Sequence, residues 1–392
     1  MTVSLQGNVE PRFTSVRDEF QSLFEQGHEV GAALCVYQHG KPVLDLWAGL
    51  ANQQAGVPWQ HDTLSWLASA SKGMVAASAL LLVERGLLDL DAPVSRYWPE
   101  FAAEGKAAIP VRWLLSHRSG VAALDKPISY EDEIAYTPII EAIAAQRPWW
   151  KPGTAHGYHA LTIGWAISEV IRRITGLTIG QFFAQEIAAP LGLELYIGLP
   201  EALTGRVASV VVPTQEEMAR GLTDPALAAF SQAMVDPGSL LYKATFAATT
   251  LTFEDVNNPQ YYAAEDPAGG GLGTATSLAR LYATLIGEVD GTRLLRPELV
   301  EQARNVESSG LDQVLRIYTL YGLGFMLPGS GLWPDFGARA FGHAGSTGAL
   351  GFADPEHALA FGYVTNKMTG LVEGNDERTT SLIRSLYSCL AP

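Results

Sequence analysis

The chain has 392 residues, 47% hydrophobic, 17% charged and 9% aromatic. That is enough apolar material for a substantial core, and it excludes a disordered, collagenous or repeat-tail protein. Lys and Arg number 26 against 41 Asp and Glu, a formal net charge of −15, so phosphate backbones and anionic lipid surfaces are repelled and a small neutral ligand is the expected partner. The 8 histidines are scattered, with no pair at metal-ligand spacing on one helix, so neither a metal nor a cofactor is expected.

Length alone allows one large domain or two or three smaller ones. The stretch Met1 to Phe24 is polar and of mixed charge, without the apolar core of a signal peptide. Pro11 to Gln26 then carries Phe13, Val16, Phe20, Leu23 and Phe24 on one helical face. Gly31 to Tyr37 and Pro42 to Ala48 read as two strands of a hairpin joined at His39-Gly40. Ser69 to Arg85 is a long Ala/Leu/Val-rich helix stopped by Gly86. Further helices are expected over Val111 to Ser116, Ile139 to Ala145, Tyr158 to Thr175 and Ile179 to Ile187. Gly205 to Pro267 reads as loops with short helices, and Gly269-Gly270-Gly271 breaks the chain before a helix over Ser277 to Ile286. Gly322 to Leu327, Ala340 to His343, Gly348 to Ala353 and Ala358 to Val364 are expected strands, and Arg378 to Leu390 a closing helix. Strands at both ends around a helical middle imply one antiparallel sheet assembled from both chain ends. Cys35 and Cys389 form no disulfide framework, and no apolar run is long enough to span a bilayer. The expectation is a soluble, cytoplasmic protein.

Four places carry chemistry. Ser69-Ala70-Ser71-Lys72 sets a lysine one turn after a serine at the start of a helix. There the ammonium can reach the hydroxyl, and the helix N-terminus supplies positive potential and free N–H groups for an oxyanion. Read alone, the tetrad equally fits an N-cap serine beside a solvated lysine. Ala344-Gly345-Ser346-Thr347-Gly348 is one residue away from the G-x-S-x-G elbow, but strands on both sides and no βαβ series make Ser346 the weaker nucleophile. Tyr158, after Pro152-Gly153-Thr154, sits at the expected start of a helix. Beside an ammonium its phenol could act as a general base; alone it reads as a core tyrosine. Gly342-His343-Ala344-Gly345 could present a strand edge whose N–H groups meet a carbonyl oxygen.

Together and in this order these segments, with Leu114-Leu115-Ser116-His117-Arg118-Ser119-Gly120 and Gly269 to Thr274, resemble the serine β-lactamase and penicillin-binding-protein superfamily. The resemblance is to its family VIII carboxylesterase branch, which is similar to class C β-lactamases, and it runs from about Phe20 to the C-terminus. It implies an α+β, β-lactamase-like fold: a sheet domain of residues 1–80 and 265–392, a mostly helical domain of residues 81–264, and an active site between them. It also implies Ser69 as the acylated nucleophile, Lys72 as its activator and Tyr158 as the base. The N–H groups of Ser69 and Ser346 would form the oxyanion hole, and His343 and Gly345 would bind substrate. Two departures narrow the chemistry. The relatives' Lys-Thr-Gly strand is His343-Ala344-Gly345 here, and Tyr-x-Asn is Tyr158-His159-Ala160. Groups that would grip a β-lactam carboxylate and an acylamino side chain are gone. The expected activity is therefore hydrolysis of small uncharged esters, with acyl transfer to alcohols or amines as a companion reaction. The rivals are a β-lactamase or D-amino peptidase, a dedicated acyltransferase, and a non-catalytic descendant of the fold.

Overall fold

The computed structural model describes residues 3–214, 225–252, 255–329, 333, 335–368 and 376–390. Of the stretch from Gly205 to Pro267, residues 215–224 and 253–254 lie outside the described residues. Within it, short helices at Ala228–Val235, Leu240–Ala244 and Pro259–Ala263 separate loops, as expected.

The strands among the described residues are β1 (Gln6–Val9), β2 (Gly31–Gln38), β3 (Lys41–Asn52), β4 (Val57–Pro58), β5 (Ser65–Trp66), β6 (Leu195–Tyr196), β7 (Leu272–Gly273), β8 (Ser308–Leu311), β9 (Tyr318–Tyr321), β10 (Phe341–Ala344), β11 (Leu350–Asp354) and β12 (Leu359–Thr365). The main sheet has the order β1-β3-β2-β12-β11-β10, with β4 on β3, and all its pairs are antiparallel. It is closed at β2–β12, where the N-terminal hairpin meets the C-terminal strands in the register Val36↔Phe361.

Strand periodicity sorts the residues of this sheet by size. On β2 and β12, Leu34, Val36, Phe361 and Tyr363 point to one face, where they meet Phe20, Leu23 and Phe24 of helix α1 (Thr14–Glu25) and Leu382, Ile383 and Leu386 of the helix Glu377–Leu390. The alternate residues are small: Ala33, Cys35 and Ala360 meet Leu278, Ala279 and Tyr282 of the helix Ala275–Ile286. This helix lies so close that a Cβ on Gly362 would overlap the Ala275 carbonyl oxygen.

Helix α2 (Ser71–Glu84) is buried along almost its whole circumference, from Met74 and Val75 to Leu80 and Leu82. An all-apolar helix of this kind belongs in the middle of a structure rather than on its surface. It is flanked by the helices Thr162–Thr175 and Ile179–Phe183 and by the end of β10. A second, three-stranded sheet of order β5-β7-β6 joins the segment leading into α2 to the chain after Gly269-Gly270-Gly271.

Two local expectations are corrected. The helix expected from Tyr158 begins at Thr162, leaving Tyr158 in the preceding loop. Gly322 to Leu327 forms no strand; Gly324 is at φ +83, and the segment contributes only isolated bridges at Met326. The strand pairing lies just before it, in the hairpin of β8 and β9. Cys35 and Cys389 are both free, Cys35 fully buried, and burial pushes its thiol well up. No helix among the described residues is long and apolar enough to cross a membrane.

Candidate active site

Ser69 occupies a single 3₁₀ turn, Ala68–Ala70, that runs into α2. The residue before it, Ala68, has φ +45, a strained value for a residue with a side chain. Lys72 lies one turn on, nearly buried, and its Nζ donates to Ser69 Oγ at 2.9 Å and to the Ala268 carbonyl at 2.7 Å. The Ala268 turn is held by Asp266, whose Oδ1 accepts from the amides of Ala268 at 2.8 Å and Gly269 at 3.2 Å. Burial pushes the Asp266 carboxyl up, while the Ala268 amide and the Lys72 ammonium pull it down. The glycine run is laid against the turn of Ser69: Trp66 Nε1 donates to the Gly269 carbonyl at 2.6 Å, Leu67 N to the Gly271 carbonyl at 2.9 Å, and Gly271 N to Ser71 Oγ at 2.9 Å.

Tyr158 reaches the same place from the helical side. Its ring centroid is 5.1 Å from Lys72 Nζ, it stacks on Tyr321 at 6.3 Å, and His117 lies 5.1 Å away. Its loop is clamped by the segment Leu114 to Gly120. Gly157 N donates to the His117 carbonyl at 3.1 Å, His159 N to His117 Nδ1 at 3.0 Å, Gly153 N to the Arg118 carbonyl at 3.0 Å, and Trp149 N to the Gly120 carbonyl at 2.8 Å. Ser119 Oγ bonds His159 Nε2 at 2.7 Å, and His159 Nδ1 donates to the Gly157 carbonyl at 2.6 Å. This clamp explains why the two motifs occur together: one holds the loop that carries the other's tyrosine. Burial keeps these imidazoles neutral, His117 well below its ordinary range and His159 down to about 4. Trp149 and Trp150 bond to the carbonyls of Ala123 and Ala155 and pack within this loop.

The third contributor is the end of β10. Gly345 sits so tightly on the turn of Ser69 that a Cβ there would overlap the Leu67 carbonyl oxygen. The next peptide, that of Ser346, follows directly. His343 is completely buried, 6.1 Å from the Tyr158 ring, with Nδ1 donating to the Ala344 carbonyl at 2.7 Å and Nε2 unpartnered among the described residues. Burial, and then the Lys72 ammonium, push it down to about 3. With Lys72 and His117 it lines a narrow pocket whose apolar wall includes Val75, Ala76, Leu115, Ile163 and Ile167.

Beneath the loop after β10, Arg378 donates to the Thr347 carbonyl at 3.2 Å, to Glu29 at 2.8 Å and to Asp376 at 2.6 Å. Glu29 also accepts from the hydroxyls of Tyr363 and Thr365. Burial pushes the Glu29 carboxyl up against the pull of Arg378. Losing one partner of such a cluster would strand a buried charge. Asp354, Glu356 and His357 come close enough together to suggest a cation. The Asp354 carboxylate is already used, by Glu356 N, His357 Nδ1 and the Tyr387 hydroxyl.

Asp266, Asp312 and Arg378 were not singled out from the sequence. Only Asp266, three residues before the glycine run, carried a local signal.

A sheet closed from both chain ends, with a serine turn facing a lysine and a tyrosine loop, defines a β-lactamase-like fold. The chain belongs to the beta-lactamase family, whose family model matches residues 16–383. It is 35% identical over 369 residues, 92% of this chain and 83% of the relative, to the esterase/beta-lactamase LipL of Mycobacterium tuberculosis. It is also similar to the crystal structure of a family VIII carboxylesterase, with a TM-score of 0.88 and 34% identity over 98% of this chain and 100% of that one. EstA from Arthrobacter nitroguajacolicus Rue61a is similar at a TM-score of 0.84 and 33% identity, over 98% of this chain and 99% of that one. The resemblance read from the motifs is borne out.

Proposed function

We propose that the protein is a serine carboxylesterase that hydrolyses small uncharged esters through an acyl-Ser69 intermediate. The observation that carries this reading is the 2.9 Å contact of Lys72 Nζ with Ser69 Oγ, with the Tyr158 ring 5.1 Å from the same ammonium. In the proposed cycle Ser69 Oγ attacks the ester carbonyl while its proton passes toward the Lys72–Tyr158 pair. The N–H groups of Ser69 and Ser346 receive the oxyanion, and Tyr158 returns the proton to the leaving alcohol. Water, or an alcohol or amine competing with it, then resolves the acyl-enzyme. The burial of Lys72 and Tyr158 supports such competition, because a dry site disfavours bulk water. The carboxylesterase relatives support an ester substrate. The neutral, buried His343 in place of a lysine supports an uncharged one, since a β-lactam carboxylate would meet no cation on that strand. The division into residues 1–80 with 265–392 and 81–264 belongs to the same proposal: it puts Ser69 and Lys72 on one side of the site and Tyr158 on the other. Two free thiols support a reducing compartment, and we place the protein in the cytoplasm.

The test is turnover of p-nitrophenyl butyrate against nitrocefin by the purified protein. The ester is expected to be strongly preferred, and the opposite ranking overturns the reading. Ser69→Ala abolishes both activities, and a phosphonate ester adds its mass to the Ser69 peptide. A label on Ser346, with Ser69→Ala still active, would move the nucleophile.

A further inference from the structure

The amide of Tyr158 points at both oxygens of one carboxylate, Asp312, at 3.1 and 3.0 Å. This aspartate opens the turn between β8 and β9 and is wholly buried. No ion pair among the described residues neutralises it. It is surrounded by donors: besides Tyr158 N, the amides of Val314 and Leu315 at 2.8 Å and the Thr319 hydroxyl at 3.1 Å. Because the single Thr319 proton goes to Asp312, the 2.9 Å contact behind it is His156 Nε2–H donating to Thr319 Oγ1. A turn alone does not require this arrangement, since an uncharged asparagine or serine closes turns without the cost of burying an ion.

We propose that Asp312 is a positioning residue, whose ionised carboxylate holds the Tyr158 peptide so that the phenol stays in register with Ser69 and Lys72. Burial pushes the Asp312 carboxyl up to about 6 against the pull of its donors. A protonated carboxyl puts an O–H among three backbone amides that can only donate, with the Thr319 hydroxyl as its one other neighbour. Tyr158 N, shared between both oxygens, then loses an acceptor whichever oxygen takes the proton. The titratable and charged groups around this cluster are Tyr158, His117 and Tyr321 on one side, His156 behind Thr319 with Arg118 beyond it, and Lys72 across the Tyr158 ring. Arg316, on the same turn, is exposed. Burial holds His117 and His156 below their ordinary range.

This proposal rests on Tyr158 as the base, and the experiment separates the two claims. The pH dependence of kcat and KM for p-nitrophenyl butyrate is measured from pH 5 to 8 for the wild type, Asp312→Asn, Thr319→Val and Tyr158→Phe. Asp312→Asn is expected to lower kcat about 100-fold with KM nearly unchanged, the cost of a small misplacement of a reacting group. Thr319 bonds Asp312 and His156. Thr319→Val removes a donor that favours the ionised carboxylate, so it moves the acid limb of kcat to higher pH and leaves the plateau within a few-fold. A slow Tyr158→Phe enzyme beside an unmoved limb in Thr319→Val overturns the role of Asp312 alone, as does an unchanged kcat in Asp312→Asn. A near-wild-type Tyr158→Phe enzyme overturns the base itself. If Asp312→Asn does not fold, the limb of Thr319→Val decides.

Discussion

Lys72 lies where water scarcely reaches, and its Nζ donates to a hydroxyl and to a peptide carbonyl. In the proposed cycle Tyr158 carries the proton transfer, so Tyr158→Phe is expected to lower turnover by about 10²–10⁴-fold with the fold intact, checked by steady-state kinetics beside circular dichroism. Ser346 is used differently. Its proposed contribution is a backbone N–H, which alanine keeps and proline deletes. Ser346→Ala is expected to stay within a few-fold of wild type, whereas Ser346→Pro loses about 10²–10³-fold in kcat. Equal losses in both variants would show that the hydroxyl, not the amide, matters.

At the scale of elements, the sheet depends on the contrast between its two faces. Gly362→Ala pushes a methyl into backbone atoms of Ala275 and Ala279, which cannot swing aside as a side chain would. The expected loss is about 1–3 kcal/mol, read from the urea midpoint, and an unchanged midpoint would mean that the helix Ala275–Ile286 is free to slide. This pairing was half legible in advance. The alternation of Leu34 and Val36 with Ala33 and Cys35 marks a strand, and the runs around β10, β11 and β12 stand between clear turn residues. Partners are a different matter. Nothing local in Gln6–Val9 announces the edge strand β1, because its residues are mostly exposed and it is ordered by β3. The loop at Tyr158 has helical composition, yet its amide is claimed by Asp312 from 154 residues away, so the helix starts later. The turn of Ser69 and Lys72 was readable because serine and lysine are close in sequence. The groups that hold the site in place were not, since each acts across the fold.

For the whole molecule, acidity acts through two opposed sets of buried groups. His159 and His343 stay neutral in the fold down to about 4 and about 3, whereas in the unfolded chain they take up protons near the ordinary 6.5. Their contribution to stability is present above that value and lost as pH falls. Glu133 has the opposite sign. Burial, and then the neighbouring Asp266, raise its carboxyl to about 8. Its contribution is therefore present below the ordinary carboxylate range and lost as pH rises toward 8. Urea unfolding is expected to show a maximum near pH 6.5. Glu133→Gln should flatten the decline above it, which for one proton is at most about 1.4 kcal/mol per pH unit. A decline that survives the substitution would assign it to another group.

The closure of the sheet at β2–β12 also dictates when this protein can come into being. Gly31 and Asn366, bonded across that seam, are 335 residues apart. At ribosomal speeds the first hairpin waits on the order of 20–70 s for its neighbour to be synthesised. Throughout that interval the apolar edge of Gly31–Gln38 has no strand beside it, and such an edge is a template for pairing with other nascent chains. Lower growth temperature or a holding chaperone should therefore raise the yield of folded enzyme more than any substitution on the finished surface.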